Sequence, residues 1–183
     1  MYKRQGVEVT LSDEAPSLEN ADLVKGYEGV TMLGMGNIDR DLLSRYSENG
    51  VRFLSTRTIG YNNIDLVAAK ELGIKVCNAA YPPNGVADFT VMMILMCLRQ
   101  YKQALWRGQV NDFSLQGLQG RDMNELTIGV MGTGRIGLQV LKNLSGFGCR
   151  LLAYDVYKNP EAEKLATYVD QDTIYKAVSY THL

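Results

Sequence analysis

Apolar and polar positions along the chain alternate between two patterns: short apolar or β-branched runs, and longer stretches with helical spacing. The runs are residues 7–10, 30–33, 51–55, 74–77, 127–131 and 151–154. Strand-length runs alternating with helical segments predict βαβ units and parallel sheets, hence an α/β protein. Residues 39–46 (DRDLLSRY) and 64–72 (IDLVAAKEL) carry the helical period. Asp65 stands where its carboxylate can cap the second of these, and Gly73 just past its end suits left-handed backbone. The longest helix predicted covers residues 84–101 (NGVADFTVMMILMCLRQY) and is apolar nearly all the way round. Such a helix is expected to be buried on several sides. It follows Pro82-Pro83, which force an extended entry, so the chain is divided there into domains 1–82 and 83–183. A Gly/Gln-rich loop at 117–122 precedes the second set of strands.

Composition narrows the classes of partner. The 183 residues are 46% hydrophobic and 21% charged, with a formal net charge of -1. That balance fits a globular protein, and it lacks the excess of cations that a nucleic-acid or membrane-surface binder needs. A small-molecule partner is expected, and neither nucleic acid nor membrane. The three cysteines, Cys77, Cys97 and Cys149, are far apart and odd in number, so neither a disulfide framework nor a metal site is expected. They read as buried thiols in a reducing compartment. With no signal-peptide pattern, the expected location is cytoplasmic. The one histidine, His182, is penultimate, so a histidine acid or base must come from elsewhere.

The strongest chemical motif is Gly132-Thr133-Gly134-Arg135-Ile136-Gly137, which follows an apolar strand and opens a helix. Gly132 permits the tight turn, Gly134 lets a pyrophosphate approach the backbone, and Gly137 allows close packing behind it. The helix N-terminus offers N–H groups and partial positive charge to the anion. Arg135 can reach a phosphate oxygen, or can be merely exposed. Ile136 shares the turn. Asp155 ends the next strand, where a carboxylate can accept both hydroxyls of an adenosine ribose and repel a 2′-phosphate. The expected cofactor is therefore NAD. A bare turn with a solvated strand-end acid is the competing reading.

Four segments together resemble the D-isomer-specific 2-hydroxyacid dehydrogenase family, most closely its D-lactate branch. They are STRTIGYNNIDL (55–66), NAAYPPNGVADFT (78–90), GVMGTGRIG (129–137) and GFGCRLLAYDVYKNPE (146–161). The resemblance implies a partial flavodoxin-like substrate domain followed by a partial Rossmann domain, a doubly wound parallel sheet that binds NAD. It implies hydride exchange between NAD(H) and a small 2-keto or D-2-hydroxy acid, with pyruvate and D-lactate as the expected pair. It places Ile59 and Gly60 in a loop whose amides hold the substrate carboxylate, and Tyr81 beside the substrate. From the residues alone, Gly60-Tyr61-Asn62-Asn63 reads equally as a plain turn, and Tyr81 as an aromatic bracing the prolines. The resemblance also implies a homodimer through helix 84–101.

The family's catalytic Arg, Glu and His are expected downstream of the chain's end, so no catalytic residue is assigned; Arg57 and Arg99 match no catalytic motif. The opening 2–5 (YKRQ) and closing 178–183 (VSYTHL) resemble halves of a translated adapter peptide. A chain truncated at both ends is therefore expected, keeping only the first βαβ of the Rossmann half and inactive by itself. A non-catalytic NAD-binding regulator on the same fold is the alternative for the parent.

Overall fold

A computed structural model describes residues 6–33 and 36–178. The chain divides into two compact units, Met1–Tyr81 and Pro82–Leu183. The adapter-like ends at 2–5 and 179–183 lie outside the described residues.

In the first unit a parallel sheet of order β1-β2-β3 is formed by β1 (Gly29–Met32), β2 (Phe53–Thr56) and β3 (Lys75–Cys77). Helices α1 (Arg40–Glu48) and α2 (Leu66–Glu71) make the crossovers. Each begins at an aspartate whose side chain accepts an orphan first-turn N–H: Asp39 from Leu42 N at 3.1 Å, Asp65 from Ala68 N at 2.9 Å. Gly73 follows α2 with φ +72°, the left-handed stop expected of it. Leu42, Leu43 and Tyr46 of α1 pack with Leu54, Ala68, Ala69 and Ile74 into one core. Residues 7–10, predicted as a strand, form none. Val7 and Val9 are exposed and the segment is tied by a hydroxyl contact between Thr10 and Tyr27. An alternating pattern becomes a strand only where another strand supplies its ladder.

The second unit starts with α3 (Asn84–Leu98) and α4 (Tyr101–Gln109). The single helix predicted over 84–101 is thus broken. The Leu98 carbonyl, which a continuing helix would need, accepts instead from Arg121 N at 3.0 Å, and Gln100 turns into the left-handed region with φ 51°. The returning loop also sets Arg99 against Asp122 at 3.0 Å. Burial of α3 on several sides is corrected too: Ala87 and Val91 are buried, while Phe89, Met92 and Met93 are exposed. The expected burial of the thiols fails in the same way, since Cys77 and Cys97 are exposed and Cys149 is half-buried.

Beyond the loop, a second parallel sheet of order β4-β5-β6 is built from β4 (Thr127–Met131), β5 (Arg150–Tyr154) and β6 (Thr167–Tyr168). Helices α5 (Arg135–Ser145), α6 (Pro160–Glu163) and α7 (Gln171–Ala177) alternate with them. A Cβ on Gly129 would meet Ile174 and Val178, whereas neighbouring Val130 lies toward Gly137 at the start of α5. Successive strand residues point to opposite faces, so α7 and α5 cover opposite sides of the sheet. Val140, Leu141 and Leu144 of α5 join Ala87, Val91, Leu151 and Ala153 in the core, but Ile136 stays outside it. The unit extends past the single βαβ expected, adding α6, β6 and α7, and β6 is too short to show a period. Among the described residues no helix is long and apolar enough to cross a membrane, and no His/Cys/Asp/Glu group could hold a metal.

Candidate functional site

In both units the candidate residues follow the carboxyl ends of parallel strands, where open α/β sheets take their ligands. Gly132 follows β4 with φ +90°, and its N–H donates to Tyr154 O at 2.8 Å, tying the turn to the end of β5. Gly134 is the N-cap of α5 and offers no side-chain cap. The first helical bond runs from Leu138 N to Gly134 O at 2.9 Å. The N–H groups of Ile136 and Gly137 come before it, and so belong to the donors that a helix start leaves for an anion. A Cβ on Gly134 would meet nothing within 4 Å, so its bare backbone faces open space. At Gly137 the reverse holds: a Cβ would sit 1.8 Å from Gly132 O. Arg135 and Ile136 are exposed at the helix start. These residues fit a pyrophosphate, which needs donors, positive potential and close backbone approach.

Asp155 follows β5 and lies against this turn. Its Oδ2 accepts from Thr133 N at 2.6 Å and Thr133 Oγ1 at 3.1 Å, and its Oδ1 from Tyr157 N at 3.1 Å. The Thr133 amide, then the Tyr157 amide, hold the carboxyl below its ordinary pKa against a smaller upward push from burial, and the Thr133 hydroxyl adds a lesser lowering. A carboxylate has about four lone-pair sites. Three are used within the chain, which leaves Oδ1 as the oxygen with capacity for a ribose hydroxyl. The sequence could not show this, because Thr133 is one of the variable positions of the glycine pattern. It is buried, its hydroxyl also receives Tyr168 OH at 2.5 Å, and its carbonyl accepts from Asn159 Nδ2 at 2.9 Å.

In the first unit, Ile59 and Gly60 lie in the loop after β2. Asn78 Nδ2 donates to Ile59 O at 2.8 Å, and Thr58 Oγ1 donates to Gly60 O at 2.8 Å. Buried Thr56 holds Thr58 in turn, hydroxyl to hydroxyl at 2.5 Å. The peptides are trans, so each fixed carbonyl directs the N–H of its own peptide, Gly60 N and Tyr61 N, to the opposite side. A Cβ on Gly60 would meet nothing within 4 Å. The loop therefore presents oriented amides beside open space, which suits a carboxylate. Tyr81 follows β3 and is 44% exposed.

Two predictions follow from the glycine turn. Gly137→Ala forces a methyl into a backbone carbonyl that cannot rotate away, and is expected to cost about 3 kcal/mol or to prevent folding. Gly134→Ala is expected to leave stability within about 0.5 kcal/mol; denaturant titration of both variants checks the pair. The lowered Asp155 pKa stabilises the folded form above the unfolded carboxyl's value, and that contribution disappears as pH falls through the folded value. Asp155→Asn should therefore flatten part of the acid limb of a stability-against-pH curve and leave Asp170, also lowered, to supply its share.

Comparisons with known proteins show the family and the fold. The family described as "D-isomer specific 2-hydroxyacid dehydrogenase, catalytic domain" matches residues 1–182. An aromatic 2-oxoacid reductase of Clostridium sporogenes is 45% identical over 158 residues, covering 85% of this chain and 48% of that protein. Apo D-lactate dehydrogenase from Escherichia coli superposes with a TM-score of 0.81 at 37% identity, over 96% of this chain and 56% of that one. D-Lactate dehydrogenase from Aquifex aeolicus, solved with NAD and lactic acid, gives a TM-score of 0.79 at 33% identity, over 86% and 48%. The chain spans about half the length of the curated relatives it matches. On the family match and the parallel-sheet fold, this chain belongs to the D-isomer-specific 2-hydroxyacid dehydrogenase family.

Proposed function

We propose that the protein to which these residues belong is an NAD-dependent oxidoreductase that interconverts a small 2-oxo acid and its D-2-hydroxy acid. The observation that carries this is the turn Gly132–Gly137 closed against Asp155, which joins a phosphate cradle to a ribose-binding carboxylate. The N–H groups at the start of α5 hold the pyrophosphate, with Arg135 and Ile136 beside it. Asp155 accepts a ribose hydroxyl and, ionised, repels a 2′-phosphate, so NAD is taken over NADP. Bound NADH supplies the hydride that reduces the 2-oxo carbon. The amides of Gly60 and its neighbours, set by Ile59, Thr58 and Asn78, hold the substrate carboxylate, and Tyr81 flanks the substrate. No catalytic Arg, Glu or His is assigned among these 183 residues, and by themselves they are expected to show no turnover and at best weak NAD binding. The proposed compartment is the cytoplasm.

Pyruvate and D-lactate are the first substrate pair, on the resemblance of the Tyr81 turn to D-lactate-type members. A larger, aromatic 2-oxo acid is the second reading, favoured by the 45% identity to the clostridial reductase. NADH-oxidation assays of the full-length protein with pyruvate and with phenylpyruvate decide between them. The first reading expects at least about tenfold higher kcat/KM for pyruvate, about 1.4 kcal/mol in transition-state binding. The reverse order establishes the second. No turnover with any 2-oxo acid, alongside intact NAD binding, points to a regulatory protein and overturns the enzymatic assignment.

We further propose a homodimer through α3. Phe89, Met92 and Met93 are exposed on it, and a concavity of about 780 Å³ beside it is lined by Met92, Leu95, Met96 and Phe147. That concavity includes none of the glycine turn, so its apolar lining suits a protein surface better than a dinucleotide. Sedimentation equilibrium should give twice the monomer mass, and Met92→Glu with Met93→Glu should halve it. A monomeric parent protein contradicts this.

A further inference from the structure

Behind the carboxylate just assigned to the ribose lies a chain of hydrogen bonds whose proton directions are all determined. Asn159 N donates to Tyr168 OH at 2.9 Å, which leaves the phenol's own proton for its other partner, Thr133 Oγ1, at 2.5 Å. Thr133 Oγ1 then has its proton free for Asp155 Oδ2 at 3.1 Å, and an ionised carboxylate can only accept. The order is Asn159 N–H, Tyr168 OH, Thr133 OH, Asp155 carboxylate, each hydroxyl accepting from one neighbour and donating to the next. Aligned chains of this kind polarise one another, more so away from water, and Thr133 is only 1% exposed.

The chain is braced at each point. Tyr168 lies on β6 in register with Ala153 of β5, two residues before Asp155. Asn159 caps α6 through its side chain to Glu161 N and reaches the Thr133 carbonyl with its amide. The ammonium of Lys158 stands 5.6 Å from the Tyr168 ring centroid, so the ring is held on its face as well as at its hydroxyl.

We infer that Tyr168 and Thr133 are positioning residues for cofactor selection: through the hydroxyl chain they fix Asp155 at the turn with Oδ1 left to the ribose. This rests on the NAD-binding reading above. Tyr168 reaches no cofactor itself; it acts through Thr133. The amide and the hydroxyl of Thr133 occupy Oδ2, so the carboxylate cannot rotate to offer both oxygens to the ligand. With Tyr168 removed, Thr133 can turn its proton elsewhere, and Asp155 loses both its orientation and part of its donor field.

The test uses Tyr168→Phe, which keeps the ring and its Lys158 contact, with Thr133→Val and Thr133→Ser as controls. Two quantities are read on the full-length protein: the Asp155 carboxyl pKa by carbon-13 NMR without cofactor, and the ratio of NAD to NADP dissociation constants by calorimetric titration. Tyr168→Phe is expected to raise the Asp155 pKa by about half a unit and to weaken NAD about fivefold with little change for NADP. Thr133→Val should do at least as much, and Thr133→Ser, which keeps a hydroxyl, should restore both readouts. A merely structural tyrosine would lower stability and leave the pKa and the ratio alone. An unmoved pKa overturns the hydroxyl chain whether or not NAD binds, and a moved pKa with an unchanged ratio overturns its role in selection. A parent chain that binds neither dinucleotide overturns the cofactor reading itself, and the assignment to selection falls with it.

Discussion

The carbonyl oxygen of Gly132 occupies the place where a Cβ on residue 137 would have to lie, 1.8 Å away. This contact sets the second unit's chemistry. It brings the start of α5 down onto the end of β4, so that the first-turn N–H groups face the open space in front of Gly134. A side chain at position 137 would lift the helix off the turn and carry those donors with it. The remaining ties, Gly132 N to Tyr154 O and Thr133 N to Asp155, lock the same turn to the end of β5. The glycine turn and the strand-end carboxylate are therefore one object, closed by this steric constraint and those hydrogen bonds.

The first unit solves a related problem by other means. Its loop after β2 has no helix N-terminus to supply donors, and its amides are aimed instead by tying down the carbonyls. Asn78 and Thr58 hold the oxygens of Ile59 and Gly60, and the rigid trans peptide does the rest. Thr56, fully buried below the loop, transmits the order of the β2 strand to Thr58. In both units a buried threonine hydroxyl sits under the backbone that is offered to a ligand, so a small polar side chain converts strand order into loop order.

What the sequence reveals depends on the range of the interaction. The caps at Asp39 and Asp65 and the left-handed Gly73 are decided within a few residues, so the local pattern shows them. The glycine turn and Asp155 are legible because strand, turn, helix and strand follow one another directly. Features set by distant partners are not. The break after Leu98 comes from Arg121 taking its carbonyl, and nothing in the apolar run around Met93 reports that. Tyr168 meets Thr133 across 35 residues, from a strand of two residues. Exposure of Phe89, Met92, Cys77 and Cys97 is invisible for another reason: hydrophobicity predicts that a side chain needs cover, without saying that this chain provides it.

The proposed function requires a dinucleotide along the Gly132–Gly137 turn with its ribose at Asp155. Nitrogen-15-resolved amide spectra recorded while NAD is added test this most directly. Saturable shifts are expected, concentrated at Gly134, Ile136, Gly137 and the amides of Val156 and Tyr157. Saturable shifts confined to residues outside this turn, or none at saturating NAD, would contradict it.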